Sequence, residues 1–345
     1  MKLNIWRLSF PALFFVLVLL SGCKKPAAEP RMENVIGTVC SVNAFKDGTE
    51  DLYDSIFARL REIDALFNVN RTDSLITEIN DAAGKNAVTV NSDFLFVLNT
   101  ALHYAELSDG AFDPTIGPLV KLWGINTDHA RVPSEKEIAD VLKFVDWKNV
   151  VVSENEGQHT VFLSEEGMSL DLGGIAKGFA ADEITDILKR FKVKRAIVDL
   201  GGNICVFGKK EKGEVWNIGV KNPFDSQRAP ALVLSQDDSA TVVTSGVYER
   251  FFEKDGIRYH HIFDVKTGKP AQRDWSSVTI VAPSTHSVDA DALSTIGFIV
   301  GFEKFSQMID VPVIFINNDE SIEASSSLNG KLRVYDWQTK DIIFK

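Results

Sequence analysis

Apolar residues recur at helical spacing through the first half of the chain. Over residues 49–67 they fall at Leu52, Ile56, Leu60, Ile63 and Leu66, one stripe of an amphipathic helix. Asn91 or Ser92 can cap a second helix whose buried side carries Phe94, Leu95, Leu98, Leu102 and Ala105. Ser134 and Glu137 stand three apart, the spacing at which a hydroxyl and a carboxylate satisfy each other's backbone N–H groups, so a third helix is expected through Ile138, Val141 and Leu142. After Val150 the pattern shortens into runs rich in Val, Ile and Thr. They predict strands over 159–163, 195–207, 215–220, 231–235, 240–244 and 277–281. A helix after Gly174 and another over 287–300 interrupt them. The expected class is α+β, in one large domain or two lobes, with a helical first half and a mostly antiparallel second half.

The beginning of the chain follows a different pattern. Lys2 and Arg7 precede an apolar run over 10–20 that is too short to span a bilayer, and Leu20-Ser21-Gly22-Cys23 closes it with small residues and a cysteine. This is the lipobox pattern of bacterial lipoproteins. It predicts a signal peptide over 1–22, a lipidated Cys23 on a tether over 23–33, and a folded domain over 34–345, anchored to the inner membrane and facing the periplasm. Lys24, Lys25, Pro26 and Pro30 argue against an uncleaved core helix. Stable anchoring needs more than one acyl chain, which lipoprotein processing supplies. Cys40 and Cys205 are then the remaining thiols; with no C-x-x-C spacing, two unpaired buried cysteines are expected. The net charge of −11 and the lack of clustered Lys and Arg disfavour nonspecific nucleic-acid binding. An acidic chain that binds an anionic nucleotide usually needs a cation.

Candidate chemistry concentrates in three places. In Ser-Leu-Asp-Leu-Gly-Gly-Ile-Ala-Lys-Gly-Phe-Ala-Ala, over 169–181, Asp171 is expected to close a short strand. Gly173 and Gly174 let the backbone turn tightly, and a helix from about Ile175 offers its free N–H groups beside Lys177. That is a place for phosphate, or simply a strand, a turn and a helix with a surface lysine. The spacing is neither a Rossmann fingerprint nor a phosphate loop. Asp-Leu-Gly-Gly recurs at 199–202, so two corners can face one cleft. Asp291 and Thr295, four apart on the last long helix, put a carboxylate and a hydroxyl on one face. Such hard oxygens suit Mg²⁺, although the pair also reads as a solvated or capping pair. His261 is the candidate general base, or else a strand-edge histidine bonded to a carbonyl; His260 should point to the opposite face. A Ser-His-Asp hydrolase is set aside because Gly-x-Ser-x-Gly is absent.

The segment over 169–181 resembles the signature of the ApbE family of flavin transferases, which attach FMN from FAD to a protein threonine. The resemblance continues, in order, through Ile36-Gly37-Thr38, Ser108-Asp109-Gly110-Ala111-Phe112-Asp113-Pro114-Thr115, Val198-Asp199-Leu200-Gly201-Gly202-Asn203, Thr244-Ser245-Gly246-Val247-Tyr248, His261-Ile262-Phe263-Asp264 and Asp289-Ala290-Asp291-Ala292-Leu293-Ser294-Thr295. It implies a T-fold-like architecture and a Mg²⁺ site made by Asp291, Thr295 and the Gly174 carbonyl. Ser294 is a weaker candidate, and Asp289 a possible outer support or second metal ligand. It implies FAD contacts from Ile36, at a position usually held by Met, and from Ala111, Phe112, Asp113, Asp171, Lys177 and Ile262. Asn70 stands where many relatives carry Tyr and cannot stack on the cofactor, leaving that side open to water. The implied reaction is attack of an acceptor threonine on the FMN-side phosphorus of FAD, releasing AMP. The implied acceptor is a membrane-bound redox subunit of an Rnf- or Nqr-type complex. Two alternatives are an FAD pyrophosphatase, which Asn70 favours, and a flavin-binding lipoprotein without catalysis.

Overall fold

The structure is a computed structural model that describes residues 26–225, 229–335 and 341–345, so the signal sequence and Cys23 lie outside the described residues. Nine strands form the central sheet, in the spatial order Arg31–Val35, Thr38–Asn43, Ala196–Leu200, Asn203–Phe207, Ala240–Gly246, Trp275–Ala282, Val313–Asn317, Ile322–Ala324 and Ile342–Phe344. The pairings are antiparallel until the last, which is parallel. Successive side chains on a strand point to opposite faces, and here both faces are buried. Val242 and Val281 join an apolar layer with Trp216, Ile218 and Leu234 of a small antiparallel sheet. Val243 and Ile280 join the main core beneath the helices.

The helices are α1 (Glu50–Phe67), α2 (Leu75–Asp81), α3 (Ser92–Leu107), α4 (Gly117–Trp123), α5 (Glu135–Leu142), α6 (Ala176–Arg190), α7 (Ser287–Val300) and α8 (Phe302–Met308). The caps read from the sequence are present. Asn91 accepts from the Phe94 N–H and Ser134 with Glu137 closes a capping box, while Thr49, not read as a cap, accepts from the Leu52 N–H. Helices α2, α4 and α8 were not expected; at seven residues each they are too short to display an apolar period.

Three expectations are corrected. Residues 31–33 are not tether: they begin the strand Arg31–Val35, paired along its length with Thr38–Asn43, and the Arg31 guanidinium is tied to Glu50 and Asp54 on α1. The run over 195–207 is not one strand but two, folded back on each other at Gly201 and Gly202. Gly201 has φ +65°, and a Cβ there would lie 2.0 Å from Thr38 Oγ1, so only glycine fits. Asp171 does not close a strand. The segment before it is held in place by the Asn80 carboxamide, which accepts from the Leu170 N–H at 2.7 Å and donates to the Leu170 carbonyl at 3.0 Å.

Helices α6 and α7 cap each other. Neither has a capping side chain of its own at Ile175 or His286. The Asp182 carboxylate on α6 accepts from the Ser287 and Val288 N–H groups at the start of α7, both at 2.9 Å. In return, Asp291 Oδ2 on α7 accepts from the Gly178 N–H in the first turn of α6 at 2.9 Å. Each carboxylate meets unsatisfied amides and the positive end of the other helix. Gly178 makes the approach possible, because a Cβ there would stand 2.2 Å from the Ser287 carbonyl oxygen. Gly178→Ala is therefore expected to cost about 1–3 kcal/mol, the scale of core overpacking, in urea unfolding. An unchanged midpoint would mean that the two helices can separate freely.

Candidate functional site

A cavity of about 370 Å³ opens where α6 begins, between α7 and the ends of the central strands. Ala111, Phe112, Asp113, Asp171, Gly174, Lys177, His261, Ile262, Asp291 and Thr295 all line it. The two Asp-Leu-Gly-Gly corners do face one cleft, since Gly201 and Asn203 line the same space as Asp171 and Gly173.

Ile36, Asn70 and Ser294 do not line the cavity. Ile36 sits at φ 50° in the turn between the first two strands, and its neighbours Gly37 and Thr38 take the lining positions. Asn70 is exposed in the turn after α1, its N–H held by Asn68 Oδ1 at 2.9 Å. Ser294 is buried and donates to the Asp291 carbonyl at 2.8 Å, with Ser245 Oγ 2.7 Å away. Asp289 accepts from the Tyr104 hydroxyl at 2.9 Å and is likewise absent from the lining.

The expectation of free amides beside Lys177 is corrected for two of them. The Ala176 N–H donates to the Leu172 carbonyl at 2.9 Å and the Gly178 N–H to Asp291. The anion at this helix end is the protein's own carboxylate. Lys177 Nζ lies 3.4 Å from Asp291 Oδ1 and donates to the Gly173 carbonyl at 3.0 Å. The Asp291 side chain is only 5% exposed, so its charge must be balanced from within the site.

Among the described residues no cluster of three or more His, Cys, Asp or Glu could hold a metal. The oxygens that are present nevertheless fit a hard cation that keeps several waters. Asp291 Oδ1 already attracts an ammonium, Thr295 lies one turn away, and Ser245 Oγ stands 3.4 Å from Thr295 Oγ1. Gly174 packs against the same hydroxyl, with a virtual Cβ 3.5 Å from Thr295 Oγ1 and 3.2 Å from Phe112. The carboxylate of Asp113, although on the lining, is occupied by the Thr115 hydroxyl and N–H and by the Trp147 N–H. Burial raises its pKa against those hydrogen bonds.

The adjacent histidines face opposite ways and hold opposite tautomers. His260, buried, meets the Ala271 carbonyl at Nε2 and the Ile262 N–H at Nδ1. A carbonyl can only accept, so the proton is on Nε2 and both nitrogens are used. Burial lowers its pKa to about 4, aided by Arg258 and Arg273. His261 places Nδ1 3.3 Å from the Arg250 carbonyl, which puts its proton there and leaves Nε2 as an acceptor on the cavity side. Enclosure of the ring, then the charge of Arg250, pushes its pKa down to about 3, so it is neutral at physiological pH.

Sequence reasoning assigned no role to Asn203, Ser245, Glu249 or Arg250, nor to the apolar wall of Ile116, Val120 and Ile125. The first two fall within blocks that carry the family resemblance. Nothing local distinguishes Arg250 from a surface arginine, and only the fold brings it to the cavity.

The profile of the ApbE family matches residues 36–315. An FAD:protein FMN transferase of Treponema pallidum (strain Nichols) is 41% identical over 326 residues, covering 89% of each chain. The crystal structure of the ApbE protein from Thermotoga maritima superposes with a TM-score of 0.79 at 33% identity, covering 88% of this chain and 99% of that one. The flavin transferase ApbE from Vibrio cholerae gives 0.76 at 27% identity, covering 89% and 100%.

The neutral buried His260 sets a pH dependence. An unfolded chain protonates this ring below about pH 6.5, whereas the folded one does so only near pH 4. Its contribution to stability is therefore complete above pH 6.5 and is lost as pH falls towards 4, by at most about 1.4 kcal/mol per pH unit. The stability advantage of the native protein over His260→Gln should shrink between pH 7 and pH 5 in urea unfolding. A constant gap would contradict the neutral assignment.

Proposed function

The chain belongs to the ApbE family, and from that premise we propose that it moves FMN from FAD onto a threonine hydroxyl of an acceptor redox protein, with Mg²⁺ and with release of AMP. The enzyme class is that of its relatives, FAD:protein FMN transferase. The observation that carries the finer reading is the meeting in one cavity of a hard-oxygen cation site, a lysine and a neutral histidine.

Asp291, Thr295 and the Gly174 carbonyl would hold the metal, which when bound supplies Lewis-acid neutralisation of phosphoryl oxygens. Lys177 then turns from Asp291 to the FAD phosphates, whose charge grows towards the transition state. His261 Nε2 aligns the acceptor hydroxyl and takes its proton as its oxygen bonds to the FMN-side phosphorus, once the anionic phosphates offset the enclosure and the cations that hold the free ring's pKa down. The bond from that phosphorus to the bridging oxygen breaks, and AMP leaves with the electron pair. Phe112 and the apolar wall of Ile116, Val120 and Ile125 give the flavin ring a surface to cover.

The acceptor we favour is a subunit of an Rnf- or Nqr-type electron-transport complex. The lipobox at Cys23 supports residence on the periplasmic face of the inner membrane, close to such a partner. No helix among the described residues is long and apolar enough to cross a membrane. The hydrolase reading rested on Asn70, which does not line the cavity.

Asp291→Ala should lower acceptor-dependent AMP release by ~100-fold or more, since several kcal/mol of charge neutralisation depend on the metal. Because Asp291 also caps α6, Thr295→Val is the companion variant: it keeps the cap and should lose activity in the same direction. Full activity in both under saturating Mg²⁺ would remove the metal from the reaction. AMP release that needs no acceptor would assign the protein to hydrolysis. Cys23→Ser should leave activity intact and shift the protein from the membrane to the soluble fraction; continued partition with membranes after a high-salt wash would refute the lipid anchor.

A further inference from the structure

We propose that Arg250 is a second phosphate-binding cation of this cavity, taking the phosphoryl group of the dinucleotide that Lys177 does not, with Asn203 donating to the same oxygens. The inference rests on the FAD reading above. Arg250 lines the cavity, yet it makes no ion pair among the described residues, while its neighbour Glu249 is matched by Lys221 at 3.6 Å. An unmatched cation in the binding cavity of a chain with net charge −11 points to an anionic ligand.

The wall beside Arg250 is trimmed to backbone. Gly37, at φ +71°, presents its Cα side to the guanidinium, with a virtual Cβ 4.0 Å from Nη2. Its neighbour Thr38 fills the space over Gly201, and Asn203 follows two residues on. Asn203 is 3% exposed and its Nδ2 has no hydrogen-bond partner. A buried amide donor without a partner is costly, and turning the carboxamide to an oxygen in the cavity relieves that cost. Arg250 and Lys177 line the cavity together with His261, and the charge of each adds to enclosure in lowering the pKa of that ring. A pyrophosphate carries two anionic phosphoryl groups, and a cavity lined by both Lys177 and Arg250 offers a cation to each.

The experiment is FAD titration in Mg²⁺ buffer, followed by quenching of flavin fluorescence, at several salt concentrations. For wild type, affinity should fall as salt rises, since exposed charge attraction is screened. Arg250→Gln should bind FAD at least tenfold more weakly and show a flatter salt dependence, and Arg250→Lys should recover most of both. Asn203→Leu should weaken binding with the wild-type salt dependence retained. Unchanged affinity in Arg250→Gln overturns the assignment. So does a loss that Arg250→Lys shares in full with the salt dependence unaltered, because that is the mark of a structural arginine. If wild type itself fails to bind FAD, it is the FAD reading that falls.

Discussion

The reciprocal cap between α6 and α7 is the interaction on which the site depends. Two carboxylates, Asp182 and Asp291, cross from each helix to the first turn of the other. Neither helix brings a capping side chain of its own, so each is completed only when the other is docked. The close approach is set by backbone rather than by side-chain choice, because Gly178 rests on the Ser287 carbonyl. The cap also sets how the Asp291 carboxylate is turned. With Oδ2 of Asp291 held by the Gly178 N–H, Oδ1 is left at the cavity, beside Lys177 and one helical turn from Thr295.

Everything else in the site is arranged around that oxygen. The strand Ala240–Gly246 brings Ser245 against Ser294 and Thr295, tying α7 to the central sheet. The Asn80 carboxamide holds the strandless segment before Asp171, so the glycine turn enters the cavity at a fixed height. His260 anchors the chain through two hydrogen bonds, and that anchoring presents His261 on the opposite side. One histidine is spent on structure so that its neighbour can keep a free lone pair. The same division appears among the carboxylates: Asp113 is occupied by Thr115 in its own turn and by the distant Trp147 N–H, while Asp291 keeps one oxygen uncommitted to backbone.

Much of this was legible in the sequence because local rules carried it. The caps at Asn91 and Ser134 are written within four residues and fold as read. The Asp291 and Thr295 spacing needs only a helix, and α7 is one. Features that depend on distant partners were not legible. Nothing before Asp171 announces that Asn80, ninety residues away, stands in for a strand partner. Of the free amides expected at the start of α6, that of Gly178 is taken by a carboxylate more than a hundred residues further along the chain and that of Ala176 by the Leu172 carbonyl. Residues 31–33 read as tether because the flanking prolines and charges are solvated in type, yet pairing with Thr38–Asn43 and the ties of Arg31 to α1 draw them into the sheet. Arg250 carries no local signal at all.

On the function proposed above, the Lys177 ammonium beside Asp291 would stand where a divalent ion binds at the α6–α7 junction. The most direct test is a crystal structure with Mn²⁺ in place of Mg²⁺, in which anomalous scattering locates the metal without reference to activity. An anomalous peak is expected between the Asp291 carboxylate and the Thr295 hydroxyl, with Lys177 Nζ withdrawn from Asp291 and the Gly178 cap intact. A peak elsewhere, with Lys177 still on Asp291, would contradict it.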